Sequence, residues 1–458
     1  MIAALAAVVG SGHVLVDDDL KASYETDWTG RFTGRAACVV RPASTDEVSA
    51  VLRVCAAHGA QVVVQGGNTG LVGGSVPGGG EVLLSLTRLD SLGEVDLAAA
   101  QVTAGAGVTL AALQAHARAA DLEVGVDLAA RDSATVGGLV ATNAGGIRVL
   151  RYGSMRAQLV GLEAVLADGS VLSRMSGLAK DGTGYDLVGL LAGSEGTLAV
   201  VTQVRLRLWP RLRARAVALL AMESTEAAVA LLPGLRAGLP SLSAAELFFG
   251  AGLDLVRRHG SLAAPFPVEH PAYLLLECAD RVDPTDQLVE AVAAADGLLD
   301  ATVASDAAGQ RALWAYRETH TEAIGAQGVP VKLDVSVPTG RLPELARRLP
   351  GVVETACPGA RLIVFGHVNE GNLHVNVLDT AERHDEVSGA VLQLVASLDG
   401  SISSEHGVGR AKAPWLHLSR SATEIEAMRA LKHALDPTGL LGPGVLLPPV
   451  AAGRMLEG

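Results

Sequence analysis

Asparagine and lysine are nearly missing from this 458-residue chain, at five residues each. Aromatic residues are scarce too, at 3%, although 49% of the chain is hydrophobic through Ala, Val and Leu. A large buried core is therefore available, built mostly from aliphatic side chains. No apolar run reaches about 18 residues, which excludes a transmembrane helix. No basic block interrupts a net charge of −13, which argues against nucleic acid as a partner. The four cysteines (Cys38, Cys55, Cys278, Cys357) form no C-x-x-C. That argues against an iron–sulfur cluster in the chain and fits a reduced, cytoplasmic setting. Residues 1–9 are apolar but have no basic n-region, so they are not read as a signal peptide. Neither G-x-G-x-x-G nor Gly-Lys-Ser/Thr occurs in the glycine-rich segments, so no NAD fingerprint or Walker A loop is expected.

What is scarce is also concentrated. The asparagines are Asn68, Asn143, Asn369, Asn372 and Asn376, and all lie in the motifs described below. The lysines are Lys21, Lys180, Lys332, Lys412 and Lys432, in a chain where arginine is far commoner. We expect the surviving Asn and Lys to sit where their chemistry is needed.

Length suggests about three domain-sized units. Residues 1–33 read as an N-terminal arm. Strand and helix signals then alternate: strands at 38–41, 62–65, 82–84 and 102–104, and helices at 45–58, with Thr45 as cap, and 109–119. Residues 161–172 read as a hairpin turning at Asp168-Gly169, and 198–208 as a strand. Beyond Pro210 the helices lengthen (225–232, 284–295, 308–325), with strands at 273–278 and 331–337. We expect domains at 34–211 and 212–435 and an extended tail at 436–458.

Three glycine-rich segments stand beside predicted strands or helix starts. The first is Gln65-Gly66-Gly67-Asn68-Thr69-Gly70-Leu71-Val72-Gly73-Gly74. The second is Thr135-Val136-Gly137-Gly138-Leu139-Val140-Ala141-Thr142-Asn143-Ala144-Gly145-Gly146. The third includes Gly193-Ser194-Glu195-Gly196-Thr197. Glycine lets backbone N–H groups curl toward an anion and approach it closely. One such loop is usually a plain turn; three in order suggest one extended dinucleotide cradle.

The segment Gly366-His367-Val368-Asn369-Glu370-Gly371-Asn372-Leu373-His374-Val375-Asn376 carries the chemistry. Asn369-Glu370-Gly371-Asn372 is turn chemistry between apolar runs. A hairpin with a four-residue loop would set His367 opposite His374, their Cβ atoms roughly 4.5–5.5 Å apart. The two imidazoles could then share a metal ion, with Asn376 on the same face. A third ligand is available at Ser404-Glu405-His406-Gly407, and two histidines plus a carboxylate leave a catalytic metal an open position. Arg317 and Thr321 are i, i+4 on one predicted helix. Alternation along 331–337 puts Lys332, Asp334 and Ser336 on one side of a strand.

These ordered motifs resemble the FAD-linked oxidases of the vanillyl-alcohol-oxidase/PCMH type, in the D-2-hydroxyacid dehydrogenase branch. The resemblance runs from Asp27-Trp28-Thr29-Gly30 to Asp436-Pro437-Thr438-Gly439. It implies an α+β fold: a PCMH-type FAD-binding domain of two α+β subdomains, and a C-terminal α+β substrate, or cap, domain. It implies that Gly66, Gly67, Asn68, Thr69, Gly70, Gly73 and Gly74 hold the FAD diphosphate. Thr135, Gly137, Gly138, Thr142, Asn143, Gly145 and Gly146 would approach the isoalloxazine and ribityl chain. Some relatives attach flavin through a histidine in the first loop; Asn68 stands there instead, so non-covalent FAD is expected.

The resemblance further implies that His367, His374 and Glu405 bind a divalent metal, with zinc expected, and that His406 is the general base. Arg317, Thr321 and Lys332 would grip a distal carboxylate, as in the 2-hydroxyglutarate rather than the lactate or glycolate members. Asn376 would hold the carboxylate beside the reacting carbon. A non-catalytic flavin-binding electron-transfer subunit is the reading from another class, and the retained ligand set argues against it. Electrons would leave to a separate acceptor, an electron-transfer flavoprotein or a quinone, and a homodimer is compatible with all of this. Two departures stand out. Asn369-Glu370 replaces Gly-Asp in the metal motif, and Gly442-Pro443-Gly444-Val445 replaces Asn-Pro-Gly-Lys.

Overall fold

The computed structural model describes residues 1–448, so the expected tail lies partly outside the described residues. The chain divides into two compact units. The first comprises Met1–Ala144, Ser154–Pro210 and the chain from Glu405 onward; the second comprises Gly145–Gly153 and Arg211–Ser404.

The first unit contains two four-stranded sheets. One runs in the order Val14–Leu15, Cys38–Val40, Val82–Ser85, Val62–Gln65, the last three strands parallel. Parallel strands are covered on both faces, and these short runs are accordingly apolar except for Gln65 and Ser85, which end two of them and are themselves buried. The apolar N-terminal stretch forms a helix, Ile2–Val9, whose Leu5 and Val9 join Val48, Leu52 and Cys55 in the core. Helix Thr45–Ala57 is capped by Ser44, not Thr45. Ser44 has extended backbone and its Oγ accepts from the Glu47 N–H at 3.1 Å, whereas Thr45 Oγ1 donates to Glu163 at 2.7 Å. A cap must lie outside the helix to reach the N–H three residues on.

The other sheet of this unit is antiparallel, in the order Gln101–Gly105, Val200–Arg207, Leu159–Val165, Val171–Arg174. Helices Leu110–Ala119 and Val136–Thr142 close its core. The C-terminal stretch returns to the first sheet through main-chain bonds. Val62 N–H donates to Leu440 O at 2.7 Å and Gly442 N–H to Val62 O at 2.9 Å. Val445 is buried. Backbone pairing and an apolar contact thus anchor the segment that departs from Asn-Pro-Gly-Lys.

The second unit is built on a seven-stranded antiparallel sheet. Its order is Leu298–Ala304, Ala214–Met222, Ala272–Asp280, Leu242–Phe248, Arg361–His367, Asn372–Leu378, Val331–Ser336. The scarce aromatics gather on one face, where Phe248, Tyr273 and Phe365 pack with Trp314 and Tyr316. Helices Gly250–Gly260, Ala307–Glu318 and His320–Gly325 contribute to that cluster. The short segment Gly145–Gly153 belongs here as well. Arg151 donates to the carbonyls of Ser241 (3.1 Å) and Ala279 (2.9 Å), and Ile147 packs on the aromatic cluster.

The expected helix over 308–325 is two helices, interrupted at Thr319. The cause is local. His320 Nδ1–H donates to Arg317 O at 3.2 Å, the carbonyl that a continuous helix offers to the N–H of residue 321. Arg317 and Thr321 therefore stand on successive helices, joined through Thr319, whose backbone stays right-handed at φ −73°.

Candidate active site

The metal motif forms a hairpin, but two residues out of the expected register. Phe365 faces His374 and Ile363 faces Asn376; His367 pairs instead with Glu246 on the neighbouring strand. The connection is still four residues, Val368–Gly371, but begins one residue earlier than expected and opens with a 3₁₀ turn at Val368–Glu370. Gly371 closes it at φ +67°, and a Cβ there would stand 2.0 Å from Val337 O. A shift of two preserves side-chain parity, so His367 and His374 still share a face.

Their Nε2 atoms lie 3.4 Å apart. Each ring has a buried carboxylate at its other nitrogen. Glu246 Oε1 is 2.6 Å from His367 Nδ1, and Asp334 Oδ1 is 3.5 Å from His374 Nδ1. At His367 the hydrogen-bonded carboxylate selects the tautomer with its proton on Nδ1 and leaves the Nε2 lone pair for a cation; at His374 the Asp334 carboxylate favours the same tautomer through its charge, at ion-pair distance. Two nitrogens on one tetrahedral zinc, each about 2.0–2.1 Å from it, would stand roughly 3.3–3.4 Å apart. The donor set and its spacing thus fit a metal of that kind.

The third strand of the site supplies the remaining polar face. Lys332 lies opposite Asn376, Asp334 opposite His374 and Ser336 opposite Asn372. Asp334 is fully buried; it accepts from Asn372 Nδ2 at 2.7 Å and from the Ser404 N–H at 3.0 Å. Asn376 is also fully buried. Its Nδ2 reaches the carbonyls of His374 and Ile363 only at 3.3 and 3.4 Å, and its Oδ1 has no partner among the described residues. Burial pushes the Lys332 ammonium down to about 8.

Arg317 is buried with its guanidinium 4.5 Å above the Phe365 ring and its Nε donating to Glu246 Oε2 at 2.6 Å. His320, fully buried, lies against the same ring at 4.7 Å. Desolvation holds its imidazole neutral, down to about 3. In the motif turn, Arg236 donates to Asn369 Oδ1 (2.5 Å) and to Asn369 O (2.7 Å). Asn369 Nδ2 in turn donates to Glu370 Oε1 at 3.0 Å. The departure from Gly-Asp therefore has its own support.

Glu405 and His406 belong to the first unit. His406 Nε2 is 3.9 Å from Glu405 Oε1. The turn that follows is held by Glu195 of the third glycine segment. Its two carboxylate oxygens accept from the N–H groups of Val408 (2.8 Å) and Gly409 (2.7 Å). Burial raises the Glu195 carboxyl despite those two donors. The first glycine loop meets the same turn, since Val72 O accepts from the Arg410 N–H at 2.9 Å.

The first and second glycine segments come together in this unit. A Cβ on Gly67 would lie 1.8 Å from Ser133 O, and one on Gly66 would lie 2.3 Å from Thr135 Oγ1. That hydroxyl is buried and has no hydrogen-bond partner among the described residues. Close loops of bare backbone with an orphaned hydroxyl suit a dinucleotide such as FAD. Three polar side chains of the expected cofactor set are used by the protein itself. Asn68 Nδ2 donates to Thr26 O (2.8 Å), Thr142 Oγ1 to Gly138 O (3.1 Å), and Asn143 Oδ1 accepts from Ser154 Oγ (2.9 Å). Gly145 and Gly146 fall in the segment of the second unit, whereas Gly70, Thr69, Gly73, Gly74, Gly137 and Gly138 belong to the first.

Sequence reasoning missed Glu246 and His320 altogether and gave Asp334 and Glu195 no role. Glu246 lies 121 residues from His367 on a strand with no motif of its own. A buried Glu in an apolar strand was the one available signal.

Two family descriptions match the chain. FAD linked oxidases, C-terminal domain, covers residues 211–446, and FAD binding domain covers residues 36–174. Together with the α+β fold they define a flavoprotein oxidoreductase. Among similar proteins is the D-2-hydroxyglutarate dehydrogenase of Xanthomonas citri pv. viticola, 40% identical over 439 residues, 92% of each chain. The mitochondrial D-2-hydroxyglutarate dehydrogenase of Danio rerio is 36% identical across 95% of this chain and 83% of its own. The chain belongs to the FAD-linked oxidase family, with the D-2-hydroxyglutarate dehydrogenases as relatives along nearly its whole length. Solved structures agree on the fold. p-Cresol methylhydroxylase superposes with a TM-score of 0.79 at 16% identity, covering 98% of this chain and 96% of that one. The 4-ethylphenol oxidase of Gulosibacter chungangensis gives 0.76 at 21%, covering 98% and 97%.

Proposed function

We propose that this chain oxidises a D-2-hydroxy dicarboxylate, D-2-hydroxyglutarate ahead of D-malate, to the 2-oxo acid, with hydride passing to non-covalent FAD. The observation that carries the reading is the pair of Nε2 atoms 3.4 Å apart, each ring backed by a buried carboxylate. His367 and His374 hold a divalent metal, zinc by donor type, and Glu405 is the third ligand. Glu405 directly follows Ser404, whose N–H is bonded to Asp334, and that connectivity supports its role. When bound, the metal acidifies a coordinated hydroxyl and FAD supplies the hydride acceptor. His406 takes the substrate hydroxyl proton as general base.

Arg317, Thr321 and Lys332 receive the distal carboxylate. One Arg317 donor is committed to Glu246, and the fork retains Nη donors for a second carboxylate. Asn376 receives the carboxylate beside the reacting carbon through Nδ2, whose present contacts are long. Electrons pass on to a separate acceptor, an electron-transfer flavoprotein or a quinone. Four buried cysteines without a disulfide support a reducing compartment such as the cytoplasm. Among the described residues no helix is long and apolar enough to cross a membrane.

A substrate panel with an artificial electron acceptor, run with and without a chelator, tests this. D-2-hydroxyglutarate should beat D-lactate by at least about tenfold in kcat/KM, a gap of ~1.4 kcal/mol, and the chelator should abolish turnover. Preference for D-lactate or glycolate moves the chain to another substrate class.

A further inference from the structure

Glu246 is buried at 1% exposure in the strand Leu242–Phe248, and both its oxygens are used. Oε1 accepts from His367 Nδ1–H and Oε2 from Arg317 Nε–H, each at 2.6 Å. These are short, charge-assisted bonds. We propose that Glu246 is a positioning residue that couples recognition of the substrate's distal carboxylate at Arg317 to the aim of His367 at the metal. The proposal rests on the function proposed above.

Several features make the coupling specific. A buried carboxylate with one partner removed is costly, so the cation of Arg317 is part of what allows Glu246 to face His367. The guanidinium is further restrained by its stack on Phe365 at 4.5 Å, and Phe365 is the cross-strand neighbour of His374. One carboxylate therefore sets the tautomer and ring angle of a ligand while it sets the plane of the fork that meets the substrate. An aspartate is a methylene too short to reach both donors from this strand. A glutamine has the length but offers one acceptor and one donor, so it can satisfy only one of the two partners.

Glu246→Gln is the direct test, because the side chain keeps its shape. Zinc affinity is measured on metal-free, FAD-loaded protein by competition with a chromogenic chelator, alongside the ratio of kcat/KM for D-2-hydroxyglutarate over D-lactate. The expected result is a zinc affinity lower by ~10–100-fold, the usual loss for an orienting partner, and a substrate ratio at least about fivefold smaller. Unchanged values for both overturn the proposal; so does a change in one without the other, which leaves Glu246 serving a single neighbour. His367→Ala is the control for the underlying reading. If His367→Ala keeps wild-type zinc affinity, the metal site itself is wrong. If it loses zinc while Glu246→Gln does not, the metal site stands and the coupling falls. Should Glu246→Gln fail to retain FAD or helical signal, Arg317→Met reads the same coupling from the other side: it must weaken zinc as well as the substrate ratio, and wild-type zinc affinity there overturns the proposal.

Discussion

Lys332 makes a quantitative prediction. Its ammonium is partly buried on the strand Val331–Ser336, and desolvation brings it from 10.5 down to about 8. Keeping it charged there costs about 3.4 kcal/mol relative to water, at ~1.36 kcal/mol for each tenfold change in acidity. A bound carboxylate adds a negative charge beside the ammonium and draws the value back upward. Above about pH 8 the free protein holds a neutral lysine, and a distal carboxylate must bind together with a proton. The kcat/KM for D-2-hydroxyglutarate should then fall by up to about tenfold per pH unit above 8, relative to D-lactate, which has no distal carboxylate. Taking the ratio of the two substrates cancels the titration of groups that both share. Lys332→Met should remove this pH dependence and lower the dicarboxylate value by about 1.5–3 kcal/mol, roughly 10–150-fold. Stability without substrate moves the opposite way. A lysine with a lowered folded value costs nothing above 10.5 and the full amount below about 8, so the ligand-free protein should gain Tm as pH rises between them. A substrate ratio that stays flat from pH 7 to 9.5 would refute this reasoning.

Other tests are simpler. Acid precipitation should leave FAD in the supernatant, since Asn68 stands in the first loop and is bonded to Thr26; flavin held in the pellet contradicts non-covalent binding. His406→Ala should keep zinc yet lose roughly 10²–10⁴-fold in the rate of flavin reduction, with partial recovery at high pH; an unchanged rate removes His406 from the chemistry. His320, down to about 3 from 6.5, should cost stability as pH falls below 6.5, by at most about 5 kcal/mol near pH 3. His320→Leu should flatten the urea midpoint between pH 7 and 5, and an equally steep slope in that variant points to other groups.

Local pattern explains why some of this architecture was legible in advance. Alternation along residues 331–337 placed Lys332, Asp334 and Ser336 on the side they occupy, because strand parity is a property of consecutive residues. The hairpin of the two histidines was legible for the same reason. Its register was not, because the placement of the four-residue loop at Val368–Gly371 depends on Gly371 fitting against Val337 O, a long-range contact. The break at Thr319 arises from His320 competing for a carbonyl, which helical periodicity does not reveal. Glu246 reaches His367 only because strand Leu242–Phe248 lies beside Arg361–His367 in a sheet whose order departs from chain order. The same holds for Glu195 and the turn after His406, which are 213 residues apart. Asn68 and Asn143 were read as cofactor contacts by position, while their side chains brace the loops that carry them.

The central claim is that a metal-dependent site in this chain reduces flavin with a D-2-hydroxy dicarboxylate. Anaerobic stopped-flow absorbance tests it most directly, following flavin bleaching on mixing with D-2-hydroxyglutarate. The protein is used as purified, after chelation, and after zinc is restored. Rapid bleaching that is lost on chelation, returns with zinc and is absent with the L enantiomer is the predicted result. Bleaching that survives full removal of metal, or that D-lactate drives as fast as D-2-hydroxyglutarate, contradicts it.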